Sequence, residues 1–243
     1  MKEKRFYINE ELFEGKNVCL EGEEFHHLAN VMRARIGDSV CLFNGNGKFY
    51  FGKITQINKK NAEILIQNEQ ISQNEPKIKL TIYQALAKGD KLSLVMQKIT
   101  EIGASNLCLF ESEFCDVKSN TGKQERLDNI SISAAKQCGR ASLVQTSGIF
   151  NIKQLAEQIK DYDAFYVAYE AEDGATLSNS LILNKGKLQN IAIMIGAEGG
   201  FSEKEIELLK SSGAKIVSLG NRILRTETAS IVCAGLAMQI LEQ

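Results

Sequence analysis

The sequence of 243 residues has no tryptophan, a single proline (Pro76) and two histidines, which are adjacent (His26 and His27). One proline excludes a proline-rich linker, and no low-complexity tract or internal repeat takes its place. The six cysteines (Cys19, Cys41, Cys108, Cys115, Cys138 and Cys233) include no C-x-x-C pair, and neighbouring histidines lack metal-ligand spacing. That sets aside zinc and a disulfide framework and leaves buried free thiols. No run of roughly 18 apolar residues is present, as a membrane-spanning helix needs. The opening MKEKRFYINEELFEG has no signal-peptide apolar stretch, so a cytoplasmic protein with no membrane partner is expected. Charge of one sign is missing too: 29 Lys+Arg stand against 30 Asp+Glu. A nucleic-acid partner would therefore have to be met by a local patch.

What is there is apolar residue in two different rhythms. From Arg5 to about Gln67 it comes in short runs such as Val40–Phe43, Phe49–Phe51 and Ala62–Ile66, separated by Asn44-Gly-Asn-Gly47 and Asn58-Lys-Lys-Asn61. These residues tolerate the positive φ of tight hairpins, so the segment reads as a small β-barrel with one helix near Glu23 to Arg35. The polar stretch Asn68 to Lys77 marks a boundary. Beyond it, runs at Leu80–Ala85, Leu107–Phe110, Ala164–Tyr169, Ile191–Ile195 and Ile216–Leu219 alternate with helical patterns, the signature of an α/β domain with a parallel sheet. Leu92, Val95, Met96, Ile99 and Ile102 stop at Gly103, and Leu127, Ile130, Ala134 and Cys138 repeat the helical spacing. Ser202 and Glu205 form a capping box that opens a helix running to Gly213. The expected domains are residues 1–72 and 76–243.

Two connections could carry chemistry. The strand Ile191–Ile195 runs into Gly196-Ala-Glu-Gly-Gly-Phe-Ser202 and the capped helix. Exposed N–H groups at a strand's carboxyl end are where α/β proteins bind ligands, although the same glycines also suit a sharp structural turn. The spacing matches neither G-x-G-x-x-G nor a P-loop. The second strand leads into Gly220-Asn-Arg-Ile-Leu-Arg-Thr-Glu-Thr-Ala229 and a final helix. Arg222, Arg225 and Glu227 there could converge on a ligand, or Arg225 and Glu227 could form an ordinary exposed ion pair. Near the N-terminus, Arg5, His26, His27, Arg33 and Arg35 could form a phosphate-contacting patch or simply a solvated face diluted by Glu23 and Glu24.

These loops resemble the SPOUT class of methyltransferases, and specifically the RsmE family of 16S rRNA uracil-N3 methyltransferases. Similar blocks are Glu24-Phe-His-His-Leu-Ala-Asn-Val-Met-Arg33, Lys88-Gly-Asp-Lys-Leu through Gln97-Lys-Ile-Thr-Glu-Ile-Gly103, Gln137-Cys-Gly-Arg140, Ile195–Gly200 and Leu219–Ala229. The resemblance covers nearly the whole chain. It implies a PUA-like barrel followed by an α/β domain with a trefoil knot, a homodimer, S-adenosylmethionine as cofactor, and 16S rRNA or the small ribosomal subunit as partner. It implies a cofactor site at Tyr169, Glu170, Ile195, Gly196, Gly199, Gly200, Ser218, Leu219, Gly220, Ile223, Leu224 and Arg225, and RNA contacts at Arg5, His27, Arg33, Arg35, Lys88 and Arg140. The chain departs from the usual pattern at Ala197 (commonly proline), at Phe114 in the Ser112 to Lys118 block (frequently arginine) and at Ala141-Ser142 (commonly Asn-Arg).

Methylating uracil N3 requires loosening a proton on the base-pairing edge, so the base must be unpaired or extruded. Arg225 is the candidate to stabilise charge on the carbonyl oxygens, and Glu198, then Glu227, the candidate to position the base or accept its proton. No metal is required. The competing expectations are a SPOUT enzyme acting on another RNA atom such as a ribose 2′-oxygen, and a non-catalytic RNA-binding assembly protein. A phosphate-ligand enzyme is disfavoured by the absence of P-loop spacing.

Overall fold

A computed structural model describes residues 5–117 and 122–242. Lys118, the end of the block that contains Phe114, lies outside the described residues, as do Met1 to Lys4. The chain divides into two compact units, Met1–Glu75 with Ala135–Leu143, and Pro76–Ala134 with Val144–Gln243.

Unit 1 holds β1 (Arg5–Tyr7), β2 (Asn17–Glu21), β3 (Ser39–Phe43), β4 (Lys48–Ile57) and β5 (Asn61–Ile71) in one sheet of order β1-β3-β4-β5-β2. All pairings are antiparallel except β1 with β3. Alternation puts Ala62, Ile64 and Ile66 of β5 inside with Phe6, Leu42 and Tyr50. Breaks in register between Phe51 and Gly52 and between Ile54 and Gln56 bend the long β4–β5 ribbon. The expected helix is shorter than its sequence pattern. Helix α1 (Gly22–His26) passes into a π turn over His27–Val31, and Arg33 has φ 54, a left-handed conformation that ends any helix. The strand β5 also takes the first part of the polar stretch read as a boundary. Residues 135–143 belong to this unit because Glu75 gathers them: its carboxylate accepts from Arg140 Nε at 3.1 Å and from the N–H groups of Ala141 and Ser142 at 2.7 and 3.0 Å.

Unit 2 is built on six parallel strands: β6 (Lys79–Ala85), β7 (Asn106–Glu111), β8 (Gln145–Asn151), β9 (Ala164–Ala168), β10 (Asn190–Ile195) and β11 (Lys215–Val217). Their order is β11-β9-β10-β6-β7-β8. Both faces are covered, so the strands read as continuous apolar runs. One face packs Leu80, Ile82, Ile191 and Ile193 against α2 (Lys91–Ile102), α5 (Leu177–Leu183) and α7 (Thr226–Leu241). The other packs Tyr83, Phe165 and Met194 against α4 (Ile152–Gln158) and α6 (Glu203–Ser211). Helix α3 (Gly122–Cys138) begins in this unit and ends in unit 1.

The final segment does not stay at the sheet edge. Beyond β11, Ser218 pairs with Thr176, donating its N–H to Ala175 O at 2.7 Å and accepting from Leu177 N at 3.1 Å. The chain then returns to the middle of the sheet, where Thr226 Oγ1 donates to Gly196 O at 2.6 Å and accepts from Gln84 Nε2 at 2.8 Å. Ser230 Oγ closes the group on Gln84 Oε1. Gln84 and Ser230 are fully buried, so each hydrogen bond left unmade would cost on the order of 1–3 kcal/mol. Thr226→Val keeps the shape and removes the hydroxyl. We expect a loss of about 2 kcal/mol in urea denaturation, since it removes the hydroxyl from Gly196 O and from one Gln84 Nε2 hydrogen, the amide keeping its bond to Ala85 O.

Candidate functional site

In open parallel sheets, ligands bind beyond the carboxyl ends of the strands where the strand order changes direction. Here that place is beyond β9, β10 and β11. A cavity of about 350 Å³ opens there, lined by residues 168–170, 195–198, 200–201, 219–220 and 222–226, with Lys91 and Ala229. That volume suits a small organic ligand. The 196–202 turn is fixed at its far end by the capping box: Ser202 Oγ accepts from Glu205 N and Ser202 N donates to Glu205 Oε2 at 2.9 Å. The other oxygen of Glu205 accepts from Glu113 N at 2.8 Å, which fastens the turn after β7 to the same helix start. Gly200 has φ +71, a left-handed backbone that L side chains rarely adopt, so this turn favours glycine there.

The walls are of two kinds. Ile195, Ala197 and Phe201 are buried apolar residues, and Phe201 is stacked on Phe110 with ring centroids 6.1 Å apart. The charged groups stand at the rim. Glu198 Oε1 accepts from Lys91 Nζ at 2.6 Å and from Lys88 N at 3.4 Å. Burial works to raise the pKa of this carboxyl, but the Lys91 ammonium and the neighbouring N–H groups outweigh it and hold the value below the ordinary 4.5. Glu198 is therefore ionised at neutral pH. Arg225 is exposed on the cavity lining, and among the described residues it forms no ion pair with Glu227. Glu227 stands in the first turn of α7, off the lining, with Oε2 buried and without a hydrogen-bond partner.

Of the residues expected around the cofactor, Tyr169, Glu170, Ile195, Gly196, Gly200, Leu219, Gly220, Ile223, Leu224 and Arg225 line the cavity together. Gly199 and Ser218 do not. Gly199 faces the backbone and Cβ of Phe114, and Ser218 Oγ accepts from Gly220 N at 3.1 Å, shaping the loop from behind. Lys91 and Thr226 were not anticipated. Lys91 reads as one more surface cation at a helix start, and Thr226 as a helix residue. Only the fold brings them to this cavity.

Among the residues expected at RNA, Arg33 and Arg35 are exposed in the turn after the π segment. Arg5 lies with its guanidinium 5.2 Å from the Phe49 ring centroid, and the His27 ring is 5.8 Å from Phe6. Lys88 is exposed and paired with Asp116 at 2.6 Å. Arg140 differs: it is 5% exposed, with its guanidinium on Glu75, and so serves packing within unit 1 rather than its surface. Among the described residues no cluster of three His, Cys, Asp or Glu could hold a metal ion, and no helix is long and apolar enough to cross a membrane.

The Lys91–Glu198 contact has a measurable signature. Because Glu198 has a depressed folded pKa, its contribution to stability is complete above the ordinary carboxylate range and is lost as pH falls through the folded value. In Lys91→Met the effect of burial is less opposed, and the Glu198 midpoint should move upward in a carboxyl ¹³C NMR titration. An unmoved midpoint would show that Lys91 does not hold this charge.

The family model of an RNA methyltransferase domain matches residues 73–238, and that of an RNA methyltransferase PUA domain matches residues 20–67. The chain is 32% identical over 237 residues to the ribosomal RNA small subunit methyltransferase E of Bacillus subtilis, covering 93% of each, and 31% identical to that of Rickettsia conorii, covering 95% of this chain and 93% of the other. Among solved structures, the ribosomal RNA small subunit methyltransferase E of Neisseria gonorrhoeae bound to S-adenosyl methionine superposes with a TM-score of 0.85 at 30% identity, over 98% of this chain and 97% of that one. A Legionella pneumophila methyltransferase with bound cofactor SAM gives 0.84 at 29%, over 99% and 97%. With its PUA-type N-terminal sheet, its SPOUT-type α/β unit and the ligand cavity at the carboxyl ends of β9 to β11, the chain belongs to the RsmE family of ribosomal RNA small subunit methyltransferases.

Proposed function

We propose that this protein methylates N3 of a uridine in 16S rRNA, in the cytoplasm and as a homodimer, with S-adenosylmethionine as methyl donor. The observation that carries the reading is the cavity itself, whose inner walls are apolar side chains and main chain from three loops while Arg225 and the ionised Glu198 stand at its rim. The residues present fit the cofactor: the cavity has the volume of a small organic ligand, and Glu170 and Glu198 on its lining would compensate the positive charge of a sulfonium. Ile195, Gly196, Leu219, Gly220 and Leu224 would hold it, with Tyr169, Glu170 and Ile223 closing the rim. Bound there, S-adenosylmethionine supplies an electrophilic methyl group.

The chain's own residues do the rest. Arg225 places its positive charge against a uracil carbonyl oxygen, where negative charge accumulates as N3 becomes nucleophilic. Glu198 accepts the N3–H hydrogen bond and takes the proton as its acidity rises with formation of the N–C bond. Lys91 keeps Glu198 ionised and oriented. Glu227 lies off the cavity, which supports Glu198 as the acidic group at the base. Arg5, His27, Arg33 and Arg35 in unit 1, and Lys88 in unit 2, contact RNA phosphates. The path of residues 218–226, which pass beside 175–177 and return to Gly196, supports the knotted course of the SPOUT fold. Helix α7 supports the dimer: Glu227 is its one charged residue, Val232 is 37% exposed, and Leu94 of α2 is 41% exposed.

The test is incubation of the protein with unmodified small subunits and labelled S-adenosylmethionine, followed by location of the labelled atom. Label on a uridine N3 supports the reading, whereas label on a ribose oxygen or none overturns it. Arg225→Ala should lower turnover about 100-fold, the size seen for loss of one donor to developing negative charge, with cofactor affinity within several-fold of wild type. Arg33→Ala with Arg35→Ala should weaken RNA binding and reduce the slope of log affinity against log salt by about 1–2, leaving cofactor binding intact.

A further inference from the structure

Three features of the turn after β7 converge on Phe114. The residue is 46% exposed, although it lies next to a loop whose own aromatic residue, Phe201, is 5% exposed. The turn is held rigidly: Glu113 N donates to Glu205 Oε1 at 2.8 Å, Cys115 N donates to Ser112 O at 3.1 Å, and Cys115 Sγ contacts Ser112 Oγ at 3.4 Å. It also sits hard against the cavity loop, since a Cβ at Gly199 would come within 2.7 Å of Phe114 Cβ and 3.2 Å of Phe114 O. Gly199 stands between Glu198 and Gly200, both on the cavity lining. A hydrogen-bonded turn therefore holds a half-exposed aromatic residue against the loop that carries Glu198, one residue from its place on the cavity lining.

We infer that Phe114 is the platform on which the target base stacks when it leaves the RNA, and so a substrate-positioning residue beside Glu198. The inference rests on the RNA methyltransferase reading above. An unpaired base loses its stacking partners when extruded, and an aromatic ring restores one of them irrespective of base identity. A phenyl ring has no hydrogen-bonding group, so it can fix the tilt of the ring while choice of base is left to polar groups at the rim.

The measurement is steady-state methylation of unmodified small subunits by wild type, Phe114→Ala, Phe114→Leu and Phe114→Trp, with S-adenosylmethionine affinity and sedimentation recorded for each. Phe114→Ala should lower kcat/KM for RNA about 10-fold at unchanged cofactor affinity and oligomeric state. Phe114→Trp should recover it to within about 2-fold, and Phe114→Leu should stay low. Full activity in Phe114→Ala, or equal recovery by leucine, rules out stacking. A parallel loss of cofactor binding or of the dimer assigns the residue to packing and likewise overturns the inference. A wild-type protein that transfers no methyl overturns the underlying reading, and is told apart because no variant is needed to see it.

Discussion

The architecture of the ligand site depends on the small polar group buried between Gln84, Thr226, Ser230 and Gly196 O. Each strand of the sheet could bury its apolar faces with the last helix in more than one position, because hydrophobic contact has no direction. The hydrogen bonds do. They require the start of α7 to lie under the carboxyl ends of β6 and β10, and so oblige the preceding residues 218–225 to cross from the sheet edge to its middle. That crossing is what turns two ordinary strand-to-helix connections into facing walls of one cavity.

The electrostatics follow from the same arrangement. Polar main chain and apolar side chains occupy the interior of the cavity, while Lys91, Glu198, Arg222 and Arg225 are at its rim, where they remain partly solvated. Lys91 and Glu198 compensate each other, so the carboxylate is kept charged without deep burial. Arg225 has no comparable carboxylate partner among the ion pairs of the described residues, and its charge is left for whatever enters.

Much of this was legible in the residues. The strands of the sheet buried on both faces, the helix stopping at Gly103 and the Ser202–Glu205 capping box each rest on local rules of periodicity and hydrogen bonding, and the fold honours them. The edge strand β8 and the short helices α4 and α5 were not read, because Gln145–Asn151 carries too little apolar alternation and helices of 7 residues show barely two turns of periodicity. The helical pattern from Glu23 to Arg35 overran, since spacing alone does not record a left-handed residue at Arg33. At the site, glycines and Arg225 announced themselves by their loops. Lys91 and Thr226 become informative only through partners 107 and 30 residues distant in sequence, a separation that no local pattern reports.

The return of residues 135–143 to the N-terminal unit bears on how the molecule can be taken apart. The polypeptide passes between the two units at Glu75/Pro76, at Ala134/Ala135 and at Leu143/Val144. A fragment ending at residue 75 would carry the whole five-stranded sheet and still leave the Glu75 carboxylate without the Arg140 guanidinium and the two N–H groups that satisfy it. The N-terminal unit is thus not contiguous in sequence, and a fragment cut after residue 75 lacks the nine residues 135–143 that belong to it.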